Sequence, residues 1–386
     1  LFDPETGDHV VNPRQQINEI TGWIDASNVY GSDLTRAEAL RTMDGTGRLK
    51  TSAGGMLPYN EAGLANAGGS GAQLFLAGDP RANEQVGLAT MHTLFVREHN
   101  RLVDEISAAN PGLDGEAVYQ RARRIVGAQM QHITYTEFLP VLLGADPLSP
   151  YTGYDPLVDA SIVNEFSSAA YRLGHSMLSG RIMRIDAAGE MIPEGHLGLK
   201  DAFFQPQKLV TEGGIEPILR GLAAQVCESV DAFVVDDVRN TLFGAPGSGG
   251  FDLVALNIQR GRDHGLPSYN ESRIAMGMLP KAAFSEMTTD PDLAARLSSA
   301  YPQVDDVDLW IGGLAEDPVG ASALGELFHG IVKYQFEVLR DGDRFWYERA
   351  LPADELAAVR NTTLADIIRR NTDIGDELQD NVFIVQ

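Results

Sequence analysis

The chain has 386 residues, 44% of them hydrophobic and 8% aromatic, enough to bury a large core in one big domain or two to three smaller ones. Its 54 acidic against 30 basic residues leave a formal charge of −24, which repels phosphates and anionic headgroups and argues against nucleic acid and membrane surfaces as partners. No apolar run reaches the roughly 18 residues of a membrane helix, Leu1-Phe2-Asp3-Pro4 does not read as a signal peptide, and a single cysteine, Cys227, excludes intrachain disulfides and cysteine metal cages.

Residues 1 to 14 and 51 to 73 are rich in turn formers without hydrophobic period and read as loops. From Asn83 to Ala109, Leu88, Met91, Phe95, Leu102 and Ile106 follow helical spacing, and Asn110-Pro111-Gly112 stops the run. Asp114 is placed to cap a second helix with Val118, Ala122, Ile125 and Ile133 on its apolar side, giving two consecutive helices joined by a tight turn. Helical runs also fit Ser161 to Met177, Ile215 to Glu228 and Ala321 to Arg340, while strand-like alternation is scarce. The expected fold is mainly α with little β. The loops at 51–73, 141–160 and 244–250 lack the charged, low-complexity character of a linker, which favours one large domain over two. Cys227, between Val226 and Glu228, reads as a buried, inert thiol.

Within the predicted Ser161–Met177 helix, Ile162, Phe166, Ala169, Leu173 and Met177 form one apolar stripe, leaving His175 on another face with Arg172 three residues earlier and Tyr171 four earlier. Ser167-Ser168-Ala169-Ala170 keeps the neighbouring surface low. A histidine, a cation one turn away and a low surface suit a flat macrocycle, because iron takes an imidazole and propionates take a cation. By itself the pattern is weak and favours a core or surface histidine over an iron ligand. Thr21, Trp23, Asp25 and Ser27 alternate, so an extended loop presents their oxygens and intervening carbonyls as calcium requires, but one carboxylate is thin for a site and in isolation an ordinary turn is the preferred reading. His92 and His99 stand about 10 Å apart along one helix, too far to chelate one ion, and read as packing or capping groups. His132, His196, His264 and His329 show no ligand spacing and read as structural or exposed.

Several runs occur in one order along nearly the whole chain. They are Pro13-Arg14-Gln15-Gln16-Ile17-Asn18, Asp25-Ala26-Ser27-Asn28-Val29-Tyr30-Gly31-Ser32, Ala77-Gly78-Asp79-Pro80-Arg81 and Met91-His92-Thr93-Leu94 with Arg97-Glu98-His99-Asn100-Arg101-Leu102. Further on come Tyr171-Arg172-Leu173-Gly174-His175-Ser176, Ala255-Leu256-Asn257-Ile258-Gln259-Arg260 with Arg262-Asp263-His264-Gly265, and Leu339-Arg340-Asp341-Gly342-Asp343-Arg344-Phe345-Trp346. In these runs the chain resembles the animal-type, myeloperoxidase-like haem peroxidases of the peroxidase-cyclooxygenase superfamily.

The resemblance implies that residues 1–386 form a single large helical haem-peroxidase domain holding haem b, with His175 as the proximal iron ligand. Asn257 is implied as its partner, the amide oxygen accepting the imidazole N–H and so leaving the other nitrogen for iron. Arg172 and Arg260 resemble the arginines that meet haem propionates, with surface salt bridges as their alternative. Arg81 matches the distal catalytic arginine, whose fixed charge stabilises the oxygen as the peroxide bond breaks. Glu84 falls where the family esterifies haem. Gln85 stands where myeloperoxidase has a methionine in sulfonium linkage, so that link is not expected. Thr21, Trp23 through its backbone oxygen, Asp25 and Ser27 match the family's calcium loop.

The family's distal histidine lies in a Gly-Gln-x-x-Asp-His-Asp motif before that loop, and its following aspartate completes the calcium shell. Nothing here matches; His9, in Gly7-Asp8-His9-Val10, sits among turn residues. The chain therefore reads as the family's body without its N-terminal section. The expected function is a peroxidase that reduces hydrogen peroxide and oxidises halide, thiocyanate or phenolic donors, in the extracellular setting the family implies. Two alternatives are a fatty-acid dioxygenase resembling the cyclooxygenases and a non-catalytic haem-fold module. The dioxygenases need a tyrosine three residues before the proximal histidine, where this chain has Arg172; Tyr171 is one position off, about 100° around an α-helix.

Overall fold

The computed structural model describes residues 4–7, 12, 14–242 and 250–385, so His9 and most of the 244–250 loop lie outside the described residues. The protein is mainly α. The one sheet among the described residues pairs Arg181–Ile182 with Leu197–Gly198, antiparallel. The chain builds two compact units, each from three separate stretches.

One unit comprises Trp23–Glu137, Arg181–Val226 and the chain from Phe345 onward. Its centre is the helix Val86–Ala109, which Gln85 caps by accepting from the Gly87 N–H at 2.5 Å, and which ends at Asn110. The helix Gly115–Ile133 packs against it, and Asp114 accepts from the Ala117 N–H at 2.8 Å, the cap expected from the sequence. Leu364–Asn371, opened by a Thr363/Asp366 capping box, and Glu216–Ala224 cover two further flanks. Because it is wrapped this way, the long helix buries polar residues too, with Glu98 and His99 wholly enclosed.

The other unit comprises the chain up to Gly22, Phe138–Gly180 and Cys227–Arg344. Here Leu309–Ala315, Tyr269–Ala275 and Glu326–Asp341 pack around a buried Glu316, which accepts from the Tyr269 hydroxyl at 2.7 Å, from Arg273, and from the Leu327 N–H at 2.7 Å. Gly313 is required in this packing, since a Cβ there would overlap the Phe328 ring.

Four sequence expectations are corrected. The Ser161–Met177 run is not one helix: Asn164–Ser168 is α-helical, Ala169 breaks it at φ −135°, ψ −76°, and Ala170–His175 is 3₁₀. The break lets the Phe166 and Tyr171 rings stack at 4.6 Å, which residues five apart on an unbroken α-helix could not do. The Ile215–Glu228 run stops at Ala224, and Cys227, beyond that end and beside a 69% exposed Val226, is an exposed thiol and not a core residue. The Ala321–Arg340 run begins only at Glu326.

Candidate active site

The 3₁₀ turn decides what surrounds His175. With three residues per turn, positions i and i+3 eclipse, so Arg172 and His175 project along the same line and reach the same partner. That partner is Asn257, fully buried on the helix Leu253–Asp263, whose N-cap Asp252 accepts from the Ala255 N–H at 3.0 Å. His175 Nδ1 lies 2.7 Å from Asn257 Nδ2, and Arg172 Nη1 donates to Asn257 Oδ1 at 2.9 Å. Arg172 Nε donates to the Ser167 carbonyl at 3.0 Å. The pairing of His175 with Asn257 is as expected, but the amide faces the imidazole with its nitrogen, because Arg172 occupies the oxygen.

Burial and the adjacent Arg172 charge push the His175 imidazole down to about 4, so it is neutral at physiological pH. Its Nε2 has no protein partner among the described residues. Burial, then the like charge of Arg260, pulls the Arg172 guanidinium below its ordinary value. Neither arginine has an ion pair among the described residues. The helix carrying Asn257 buries no other residue, and Leu256 on it is 44% exposed. A neutral imidazole, two guanidinium groups without ion pairs among the described residues and an exposed apolar helix face fit the neighbourhood of a flat, dianionic macrocycle.

Arg81 lies in the other unit. Its guanidinium is held by Asp79 in a two-pronged pair, Nε to Oδ1 at 3.0 Å and Nη2 to Oδ2 at 2.6 Å, while its own backbone N–H donates to Oδ1 at 2.8 Å. Burial raises the Asp79 carboxyl, but the Arg81 hydrogen bonds outweigh it and keep the group below the usual range. Gly78 seats this segment on the turn Ser27–Tyr30: a Cβ at Gly78 would overlap the Ser27 carbonyl, and the Asp79 N–H donates to the Asn28 carbonyl at 3.1 Å. Sequence reasoning passed over Asp79, although a carboxylate two residues before the arginine, across Pro80, was the available signal.

Glu84 is half-buried, and burial raises its carboxyl. Gln85 is engaged as the helix cap. His92, also buried, places Nδ1 2.7 Å from the Leu88 carbonyl, so Nδ1 carries the proton and Nε2 is left without a partner. Among the four residues expected to bind calcium, Trp23, Asp25 and Ser27 are in this unit and Thr21 is in the other. Asp25 Oδ1 accepts from the Ser27 N–H at 2.9 Å, and Gln131 holds the Ile24 carbonyl at 2.9 Å, which fixes the loop on the helix Gly115–Ile133.

The remaining histidines take structural hydrogen bonds. His99 sits between the Tyr30 hydroxyl and the Gly47 carbonyl, His132 meets the Tyr347 hydroxyl, His196 accepts from the Arg184 N–H, His264 meets Asn164, and His329 donates to the Leu143 carbonyl.

The Animal haem peroxidase family model matches residues 3–383. The chain is 39% identical to the mouse Peroxidasin homolog over 97% of its own length but only 27% of that protein's. It is 39% identical to Peroxinectin A of Dictyostelium discoideum, over 96% of this chain and 70% of that one. The solved structure of Peroxidase A from Dictyostelium discoideum superposes with a TM-score of 0.89 at 38% identity, covering 96% of this chain and 72% of that chain. An Oryza sativa fatty acid alpha-dioxygenase shares the fold, with a TM-score of 0.79 at 23% identity over 97% and 67% of the two chains. The chain thus spans about a quarter of the peroxidasin length.

Proposed function

Because the chain belongs to the animal haem peroxidase family, we propose that it binds haem b through His175 and reduces hydrogen peroxide, oxidising small donors such as halide, thiocyanate or phenols. The observation that carries this reading is the meeting of the neutral His175 imidazole with Asn257 and Arg172, close to Arg260, with neither arginine ion-paired among the described residues. The match across residues 3–383 supports treating the whole as one haem-peroxidase domain.

Haem bound there would supply the iron at which the peroxide is reduced. His175 would hold the iron, with Arg172 and Arg260 at the propionates. Arg81, kept in place by Asp79, would supply a fixed positive charge to stabilise oxygen that gains charge as peroxide is reduced. It cannot also move the peroxide's proton, because guanidinium stays protonated. That step needs a base of near-neutral pKa, which in the family is the distal histidine. Glu84, its carboxyl raised by burial, would form the single ester, and the Thr21–Ser27 loop would take calcium through Asp25, the Thr21 and Ser27 hydroxyls and the Trp23 carbonyl.

Position 172 argues against dioxygenase chemistry, since the residue three before His175 is an arginine bonded to Asn257, and Tyr171 is instead stacked on Phe166. The test is titration with haem, followed by peroxide turnover with bromide and with a phenolic donor. One haem per chain with a Soret band and donor oxidation is the expected result. Saturable haem binding without turnover would reduce the chain to a haem module, and no stoichiometric haem would overturn the reading.

A further inference from the structure

Two tyrosine–histidine pairs stand in the unit that carries Arg81 and Glu84, and their surroundings differ. Tyr30 meets His99 at 2.9 Å, and with Tyr119 they make a wholly enclosed group of rings. Arg41 lies over the Tyr119 ring at 3.8 Å and Arg123 over the Tyr30 ring at 5.4 Å, and positive charge on those faces opposes the loss of an electron.

The second pair is Tyr347 with His132, the hydroxyl donating to Nδ1 at 3.1 Å. Trp346 and Tyr135 extend it into a row of edge-to-face rings. Their centroids lie 4.7 Å apart from Tyr135 to Trp346, 4.8 Å from Trp346 to Tyr347 and 5.6 Å from Tyr347 to His132. His132 and Tyr135 stand three residues apart where the helix Gly115–Ile133 passes into the π-helical turn Thr134–Phe138, which brings both onto the Trp346-Tyr347 pair. The Tyr347 N–H donates to Gln131 Oε1 at 2.9 Å and pins that pair to the same helix. Trp346 and Tyr347 are buried, whereas Tyr135 and His132 are half-buried. The row therefore starts at the surface, runs through the interior and ends on a base.

Indole and phenol are among the side chains that give up an electron most readily, and an electron passes quickly between rings in contact. A phenol that has lost an electron is a strong acid, so it is oxidised easily only where a base takes its proton. His132 supplies that base. Burial lowers its pKa and keeps the ring neutral, and the Arg360 carbonyl takes its one N–H, which leaves Nδ1 to accept. Burial, then Glu348, pushes the Tyr347 phenol up to about 12, so it holds its proton until it is oxidised. The Arg360 charge beside it is met by Glu348 at 2.6 Å.

We propose that Tyr135, Trp346 and Tyr347 are a row of one-electron carriers, with His132 as proton acceptor, through which the chain oxidises phenolic donors too large to enter the peroxide site. The inference deepens the proposed function and rests on it for the oxidant, hydrogen peroxide. Tyr347 gives an electron to the site where peroxide is reduced and its proton to His132. An electron from Trp346 and the returning proton restore Tyr347. Tyr135 then restores Trp346 and loses its own proton to water, and a donor phenol at the surface restores Tyr135 with one electron and one proton. Two such rounds turn one peroxide and two protons into two waters and release two donor phenoxyl radicals, so the protons lost to water equal those the peroxide takes up.

The first test needs no haem. In the full chain, Thr136→Cys combined with Cys227→Ser carries a ruthenium photo-oxidant next to Tyr135, since Thr136 is exposed. After a flash, EPR should show a phenoxyl radical with the signature of a hydrogen-bonded tyrosine. Tyr347→Phe should remove that signal, Trp346→Phe should slow its appearance at least about tenfold, and Tyr30→Phe should leave it as it is. Tyr347→Phe keeps its ring and serves if Trp346→Phe does not fold. The second test uses haem, peroxide and a phenol fixed to beads, which cannot enter a pocket. Wild type should oxidise it, and the ratio of its rate to that of free phenol should fall at least about tenfold in Tyr135→Phe. A hydrogen-bonded phenoxyl signal that survives Tyr347→Phe, or a bead-to-free ratio untouched by Tyr135→Phe, overturns the proposal. Absent haem uptake or absent turnover of free phenol defeats the peroxidase reading instead, a separate result because the flash experiment decides the row by itself.

Discussion

Two family runs place a histidine in a buried setting, and burial pushes both His175 and His99 down to about 4. Around His99 the charged and ring groups are closed within the chain among the described residues, although Gln129 leaves its buried Oε1 without a partner. Arg97 donates to the Gly55 and Gly54 carbonyls and to Glu216, Glu98 accepts from Arg101, Gln129 and Asn371, and Asn100 pairs with both the N–H and the carbonyl of Leu49. His99 itself uses both nitrogens, on Tyr30 at 2.9 Å and Gly47 at 3.0 Å. Around His175 one nitrogen is open and two arginines lack counter-charges. A depressed pKa therefore does not separate the two sites; the completeness of hydrogen bonding does. The cluster around His99 is bonded as a structural one, whereas the His175 cluster is the one proposed above to meet a ligand.

The sharpest way to break this contrast is to delete each histidine. His175→Ala should abolish haem ligation, seen as loss of the Soret band and of one-to-one stoichiometry, while His99→Ala should leave haem per folded chain unchanged and lower the melting temperature. Haem retained in the first variant would remove the distinction. Next in size is Glu98→Ala, which strands Arg101, Gln129 and Asn371 around a fully buried site; breaking such a pair costs about 3–5 kcal/mol, to be read by denaturant unfolding. A cost below about 1 kcal/mol would show that water or rearrangement satisfies the cluster.

Glu137 sharpens the comparison with a carboxyl that is only half satisfied. It sits in the π-helical turn Thr134–Phe138, accepts from the Leu364 N–H at 3.1 Å through one oxygen, and leaves the other buried without a partner. Burial, opposed by the Leu364 hydrogen bond and aided by Asp366, pushes it up to about 7 from an ordinary 4.5. Since the folded value is the higher, this group's contribution is fully present below pH 4.5 and is lost as pH rises through 7. The loss amounts to at most about 3 kcal/mol. Glu137→Gln should flatten that part of the stability profile between pH 5 and pH 8, and an unaltered profile would mean the carboxyl is ionised in the folded chain.

Smaller still is Asp79→Asn, which keeps the shape but loosens Arg81. A catalytic donor is worth about 10² to 10³ in rate, so losing only its anchor should slow the peroxide step about tenfold. The donor KM should stay unchanged, as stopped-flow and steady-state kinetics can establish. An equal rate would show that Arg81 needs no carboxylate to hold it. Cys227→Ser should alter neither haem content nor stability, and the native thiol should react with a maleimide, as its exposure requires.

Local signals were enough for the long helix, its stop at Asn110-Pro111-Gly112 and the Asp114 cap, because apolar period and capping chemistry act over a few residues. They also gave the mainly α class. Ordered motifs singled out His175, Asn257 and Arg81, although 82 positions separate the first two and no spacing rule connects them. Tertiary structure alone decided the rest. The break at Ala169, which lets Tyr171 stack on Phe166, interrupts a sound α-helical stripe and leads into the 3₁₀ turn that aligns Arg172 with His175. The same alignment gave the Asn257 oxygen to Arg172, an arrangement that depends on three side chains meeting and on none of their neighbours in sequence. Helical period can say which face a residue occupies, but which atom it meets there depends on the partner that distant segments bring within about 3 Å.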